Sequence, residues 1–128
     1  MYLNPRSEKF LERQCARENE IKILTSFYNE LKRQHFSFTA YNGERYNKID
    51  SLNEILAFHS NLDKMSIHVE RDNLKGIARF IFGCGEFVSY CMYDYSRSLK
   101  CFINETLALM EALATEIYER KYIRKDIE

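Results

Sequence analysis

The strongest helical pattern in the chain lies toward its C-terminal end. Apolar residues recur there at alternating three- and four-residue steps for about five turns, which predicts an amphipathic helix over residues 99–119 that begins after Ser96 or Ser98. We expect this helix to pack against a sheet through one row of large side chains, namely Leu99, Phe102, Ile103, Met110, Leu113 and Ile117.

Two further stretches have helical spacing. The first is residues 5–35, which contain no glycine or proline after Asn4-Pro5, a plausible cap and first-turn pair, with Ser7 as the competing cap. The second begins at Ser51, where Ser51 and Glu54 match a capping box ahead of a short apolar face. The apolar stripes of the two helices are Ile21, Leu24, Tyr28, Leu31 and His35, with Phe27 alongside, and Leu52, Ile55, Leu56, His59 and Leu62.

Between the first two helices the pattern changes to strict alternation. Residues 36–41 alternate in polarity and predict a strand, and Asn42-Gly43 then favours a type I′ hairpin turn. Residues 44–48 form a possible return strand of this hairpin.

Residues 65–95 predict a three-stranded meander. Its first strand alternates, and we expect Asp72-Asn73 to open a turn that Gly76 closes. The second strand, 77–82, is almost wholly apolar and predicts a central strand covered on both faces. A turn at 83–85 leads to a third strand that begins at Phe87.

The order of elements indicates an α+β fold. Strands joined by short turns run antiparallel, so the sequence predicts a meander of three to four strands packed against two long helices and one short helix. We interpret residues 1–128 as a single domain whose ends, 1–6 and 121–128, fray.

Composition and charge narrow the functional classes. Nineteen basic residues balance nineteen acidic ones, so no global field attracts nucleic acid or anionic membrane. No apolar run suits an export signal or a membrane span, and we therefore expect a cytoplasmic protein with four reduced cysteines and no disulfides.

Candidate chemistry is sparse. The cysteines and histidines lack the close pairing typical of zinc sites, and no phosphate-binding glycine motif is complete, so we expect no metal and no cofactor. Cys84 lies between two glycines and is the best candidate nucleophile, with His59 or His68 as its base. We favour the interpretation that the glycines form a tight turn and that Cys84 has no catalytic role. We therefore predict that the protein is not an enzyme.

Two surfaces could bind a macromolecule. The first is aromatic: the chain has nine tyrosines, a residue type enriched at protein interfaces. The tyrosines predicted to contact a partner are Tyr90, Tyr93, Tyr95, Tyr118 and Tyr122. The second is basic, and would bind nucleic acid through Arg79, Arg97, Lys100, Arg120 and Lys121. In the stretch 75–82, Ile77 and Arg79 occupy the positions where RNA-recognition motifs carry the aromatic residues that stack on bases.

We therefore favour a small non-enzymatic protein-binding module. Inhibitors, immunity and anti-defence proteins of phages or mobile elements, and adaptors, have this small size and this lack of chemistry. The expected partner is another protein or a second copy of the chain. A nucleic-acid accessory protein is the alternative, and a thiol enzyme centred on Cys84 is the third hypothesis.

Overall fold

The fold is α+β, as predicted, with five antiparallel strands instead of three to four. A computed structural model describes residues 8–83 and 91–119, with side chains from residue 17 onward. The helices are α1 (Glu8–Arg33), α2 (Leu52–Asn61), a 3₁₀ helix (Arg97–Phe102) and α3 (Asn104–Tyr118). The strands are β1 (Ser37–Tyr41), β2 (Tyr46–Ile49), β3 (Lys64–Arg71), β4 (Leu74–Ile81) and β5 (Met92–Tyr95).

The strands form one sheet in the order β2-β1-β3-β4-β5. Every neighbouring pair is antiparallel, and β3 is central. The return strand of the first hairpin exists and lies at one edge as β2. Strand β1 pairs with β2 on one side and with β3 on the other, so the hairpin and the meander form one sheet.

The helices cover one face of this sheet, which we call the packed face. Phe27 of α1 meets Phe80 of β4 edge to face, with ring centroids 5.3 Å apart, and both are fully buried. Tyr28 stacks on Phe38 of β1 at 4.7 Å. Helix α3 packs along α1, so it forms an outer layer on the same side. One continuous cluster of buried side chains joins these helices to the strands.

Helix α1 ends two residues earlier than its apolar pattern predicts. His35 adopts a left-handed conformation, with φ of 70°, and the Phe36 N–H donates to the Leu31 carbonyl at 3.1 Å. This geometry closes a helix C-terminus. His35 is therefore exposed and does not extend the stripe, whereas Ile23, outside the predicted stripe, is fully buried.

The β1–β2 turn has four residues, so the predicted two-residue type I′ turn is wrong. Only Gly43 has positive φ there, at 100°. Asn42 Oδ1 instead accepts hydrogen bonds from the N–H groups of Glu44 and Arg45, both at 2.9 Å. By accepting these two bonds, the side chain of Asn42 stabilises a four-residue loop in place of the predicted type I′ turn.

Helix α2 begins where predicted, but its capping box does not form. Ser51 occupies the cap position without a side-chain capping bond. The Glu54 carboxylate reaches one residue further back and accepts the Asp50 N–H at 3.3 Å. The predicted apolar face is confirmed in its buried members, Ile55 and His59.

Gly76 does not close a turn. The β3–β4 turn is Asp72-Asn73 alone, with Asp72 at φ of 53°, and Gly76 lies inside β4 opposite Val69. A Cβ at Gly76 would lie 2.6 Å from Leu99 Cδ2. Glycine is needed at this position because the 3₁₀ helix packs directly on the strand.

Strand β4 is covered on one face and not on both. Ala78 and Phe80 are buried, whereas Ile77 and Ile81 on the opposite face are half-buried and Arg79 between them is exposed. The apolar run misled because β-branched residues also suit a strand surface that is only partly covered.

The predicted last helix is broken in two. The 3₁₀ helix ends at Phe102, Ile103 has non-helical φ and ψ of −121° and 31°, and α3 begins at Asn104. The buried Glu30 carboxylate of α1 accepts the N–H groups of Glu105 and Thr106 at 2.7 and 2.9 Å. The carboxylate accepts hydrogen bonds from backbone N–H groups that have no partner within the new helix. The break therefore costs little stability.

Glu30 also fixes the hydroxyls beside it. The Thr106 hydroxyl donates to Glu30 at 2.7 Å, so the Ser26 hydroxyl donates to Thr106 in their 3.0 Å bond. Apolar periodicity predicts the buried positions of α3, Met110 and Leu113, but carries no information about this carboxylate.

Several sequence predictions lie outside the described residues. They are the Asn4-Pro5 and Ser7 caps, the 83–85 turn beyond Gly83, the strand segment 87–90 and the fraying of 121–128. Within the described ranges, no helix is both long and apolar enough to cross a membrane.

Candidate interaction surface

The face of the sheet opposite the helices is the main unpacked surface among the described residues, and we call it the open face. Strand register assigns its side chains, because alternate residues of each strand point to the same side. They are Ser37, Thr39 and Tyr41; Tyr46 and Lys48; Lys64, Ser66, His68 and Glu70; Lys75, Ile77, Arg79 and Ile81; and Tyr93 and Asp94.

One row across the open face is aromatic at one end and charged at the other. Tyr46, Tyr41, Ser66, Arg79 and Asp94 lie opposite one another on successive strands. The Tyr46 and Tyr41 rings stack with centroids 4.5 Å apart. Tyr46 still exposes 64% of its surface. Stacking on Tyr41 fixes the position of the Tyr46 ring, while most of its surface stays exposed to solvent. The ring can therefore contact a partner with little loss of conformational entropy.

His68 lies at the centre of the open face. Thr39 and Ile77 flank it on the neighbouring strands, and the Tyr46 ring meets its imidazole edge to face at 5.3 Å. Burial, and then the positive charge of Arg79, lower the pKa of His68 below its ordinary 6.5. The imidazole is therefore neutral at pH 7 and presents an amphipathic ring.

The charges of the open face are partly paired. Arg79 Nη1 donates to Asp94 Oδ2 at 3.1 Å across β4 and β5. Glu70 lies directly opposite Lys75 in the register of β3 and β4. Lys48 and Lys64 remain, and both are exposed. Within the described part of the chain, the open face thus carries an excess of two cations.

Two shallow cavities indent this face. The larger, about 440 Å³, lies around His68 and Ile77, and is lined by Ser37, Thr39, Tyr46, Glu70, Lys75 and Ser96 as well. The smaller, about 240 Å³, lies near the β1–β2 turn and includes Tyr41, Ser66, Arg79 and Tyr93. The larger volume suits one or two side chains of a partner.

The predicted tyrosines lie in different places. Tyr93 is 51% exposed at a bulge between β4 and β5 and borders the smaller cavity. Tyr95 is opposite Ala78 and packs against the core. Tyr118 is the last residue of α3 and 56% exposed. Tyr90 and Tyr122 lie outside the described residues, so the five-tyrosine surface stays a prediction.

The predicted basic residues are also dispersed. Arg79 is on the open face and already pairs with Asp94. Arg97 and Lys100 are exposed, three residues apart on the 3₁₀ helix. Arg120 and Lys121 lie beyond the described residues.

The residues proposed for thiol chemistry have other roles or lie elsewhere. Cys84 is not among the described residues. His59 is buried, and its Nε2 lies 2.8 Å from Glu20 Oε1. The other Glu20 oxygen accepts the Gly83 N–H at 2.8 Å, so this pair ties α1, α2 and the end of β4 together. His68 is on the open face.

The described residues show no arrangement of three or more His, Cys, Asp or Glu side chains that could hold a metal ion. Of the two cysteines whose side chains are described, Cys91 is buried and Cys101 exposed, and neither forms a disulfide.

Tyr41 and Tyr46 were not singled out from the sequence as site residues, and His68 was considered only as a possible base for Cys84. The signal was present in the polar members of the alternating segments, since Tyr41 follows Ser37 and Thr39, and His68 stands between Ser66 and Glu70. These residues become one surface only when β1 is known to pair with β3.

Comparison of the chain with protein-family models, with curated proteins and with solved structures gives no match.

Proposed function

We propose that this protein is a non-enzymatic binding module of the inhibitor, immunity or adaptor type, and that it docks a protein partner on the open face of its sheet. The observation that carries the proposal is the stacked Tyr41–Tyr46 pair beside the central His68, with Tyr46 64% exposed. Tyrosine rings in this setting are typical anchors of protein interfaces.

The buried ionisable side chains support a binding role over catalysis, because they hold the fold together. Glu30 uses both oxygens on the N-terminus of α3, and Glu20 uses both on His59 and the end of β4. The half-buried Arg71 lies over the rings of Phe36 and Phe102, at 4.9 and 4.8 Å from their centroids. Each of these groups serves packing or helix capping.

A comparison of two tyrosine variants tests the proposal. The full-length chain, its Tyr41→Ala/Tyr46→Ala variant and its Tyr118→Ala variant are tagged and used to recover proteins from the native source, with quantitative mass spectrometry. Removing an interface anchor costs about 2 kcal/mol or more, or roughly thirtyfold in affinity. We expect the double variant to lose the partner, and Tyr118→Ala, which is similarly exposed on α3, to retain it.

Two results would contradict the proposal. One is equal recovery of the same partner by the double variant. The other is the absence of any enriched protein, together with a monomeric mass by light scattering. A dimer abolished by Tyr41→Ala/Tyr46→Ala would identify the partner as a second copy of the chain.

Nucleic-acid binding is the second candidate, because exposed rings on an antiparallel sheet beside cations can stack unpaired bases. Arg79 and Tyr93 border the same cavity, and Arg97 and Lys100 extend the basic surface beyond β4. Binding of a labelled single-stranded oligonucleotide that falls steeply with salt would favour this candidate. A flat response at low salt would remove it.

A further inference from the structure

The larger cavity of the open face contains several hydrogen-bond donors that no acceptor in the described ranges uses. The side chains of Thr39, Tyr46 and Lys75 line it, and no described residue accepts a hydrogen bond from any of them. By contrast, the Ser37 hydroxyl donates to the Glu70 carbonyl at 3.2 Å, and Ser96 bonds the Ile77 backbone. The cavity therefore offers hydroxyl and ammonium donors to a ligand that can accept them.

The excess of cations on the open face around the cavity also favours an anion. Lys48 lies beside Thr39 in the β1–β2 register, and Lys75 lines the cavity wall. Glu70 is the carboxylate among the lining residues, and it lies opposite Lys75. Arg79 adds a positive charge on the neighbouring strand, and after burial it is the second cause of the lowered pKa of His68.

From this complementarity we propose that the occupant of the larger cavity is a carboxylate side chain from an acidic segment of the partner protein, held by Lys48, Lys75 and the Thr39 hydroxyl. This inference rests on the proposed function and adds the chemistry of the partner. An aromatic or aliphatic neighbour of that carboxylate would lie against Tyr46 and Ile77, the apolar groups of the same cavity.

An acidic protein segment fits this surface better than a nucleic-acid backbone. A carboxylate needs one donor cluster, whereas a strand of phosphates needs a track of cations. The open face has two acids among its four cations, and both acids lie opposite a basic residue. Phosphates that followed β4 would meet Glu70 beside Lys75 and Asp94 beside Arg79.

A random twelve-residue peptide library, selected on the immobilised full-length chain, tests the proposal. We expect the enriched peptides to contain Asp or Glu next to an aromatic or aliphatic residue. Affinity of the strongest peptides is then measured by fluorescence anisotropy against Lys48→Glu/Lys75→Glu. The control is Lys22→Glu/Lys32→Glu, which changes the net charge equally at exposed positions on α1.

The expected result is at least a tenfold loss of affinity in Lys48→Glu/Lys75→Glu and less than a threefold loss in the control, since screened charges outside the cavity act weakly. Peptides without acidic residues whose binding still depends on Tyr41 and Tyr46 would overturn the acidic partner and leave the proposed function standing. Peptides that bind Tyr41→Ala/Tyr46→Ala as well as the unaltered chain, or no enrichment at all, would count against both.

A single-stranded oligonucleotide of twelve thymidines or uridines is measured in parallel. Binding that is lost in Lys48→Glu/Lys75→Glu, without selection of acidic peptides, would overturn the proposal in favour of nucleic acid. No binding of the oligonucleotide, together with acidic peptides that obey the charge-reversal pattern, supports it.

Discussion

The two faces of the sheet are built from the same strands and differ in what their side chains do. On β1, β3 and β4 the packed face carries Phe38, Ile67 and Phe80, all but fully buried. The intervening positions on the open face carry hydroxyls, rings and charges. Burial of the packed-face residues stabilises the fold through the hydrophobic effect, whereas substitution of an open-face residue changes the free energy of unfolding only slightly. Residues can therefore be assigned to folding or to recognition by the face they occupy.

Neighbouring residues of β4 give the largest expected contrast. Phe80→Ala should lower the free energy of unfolding by about 3–5 kcal/mol, because it leaves a cavity against Phe27. Arg79→Ala, one residue away on the open face, should change it by no more than about 0.5 kcal/mol, since its ion pair with Asp94 is exposed. Urea titrations of both variants measure this difference. Equal losses would show that the open face is packed too.

The second-largest loss of stability is expected from removing the charge of Glu30, the α1 carboxylate that caps the N-terminus of α3. Glu30→Gln keeps the size of the side chain but turns an amide NH₂ toward donors, so one or more bonds to Glu105 and Thr106 are lost. We expect a loss of roughly 1.5–3 kcal/mol, the range for hydrogen bonds to a charged group. Glu111→Gln, which changes an exposed carboxylate on α3, is the control and should be near neutral. A neutral Glu30→Gln would contradict the capping role.

Substitution of Gly76 is expected to give the third-largest loss of stability. Gly76→Ala forces Leu99 to move, and overpacking of this kind costs about 1–3 kcal/mol. In a Leu99→Ala background the space is available, so the same glycine change should cost less there. A double-mutant cycle with no coupling between positions 76 and 99 would show that the 3₁₀ helix does not pack on β4 as described.

The smallest predicted effect concerns pH. Because the pKa of His68 is below 6.5 in the folded protein, the folded state binds fewer protons than the unfolded state just below that pH. The contribution of His68 to stability is therefore highest above pH 6.5 and falls as the pH drops toward the lowered value. Thermal unfolding of the wild type and His68→Gln between about pH 7.5 and 5 should show the variant gaining relative stability in acid. A constant difference would contradict the lowered pKa.

Local patterns predicted most of the fold because they report which residues are buried. Apolar spacing identified α2 and the buried side of α3, and alternation identified β1 and β3. Two of the misses come from an interaction with a residue distant in sequence. Glu30 breaks the last helix 75 residues away, and Leu99 explains Gly76. Such contacts have no periodicity of their own.

The candidate surface was less predictable for a related reason. Tyr41, Tyr46 and His68 come from three strands, and nothing in the order of residues states that β1 pairs with β3. Aromatic content drew attention to tyrosine, but proximity along the chain emphasised Tyr93 and Tyr95, whose environments differ. A recognition surface on a sheet is defined by register, which sequence patterns constrain only weakly.

Three tyrosines of similar exposure allow the most direct test of the open face as the binding surface. Tyr46 and Tyr93 lie on it, whereas Tyr118 lies at the end of α3, and they expose 64%, 51% and 56% of their surface. The measurement is the rate of nitration of each ring, read by mass spectrometry with and without saturating partner. We predict that the partner slows nitration of Tyr46 and Tyr93 and leaves Tyr118 unchanged. Protection of Tyr118 with unaltered rates at the other two would contradict the account.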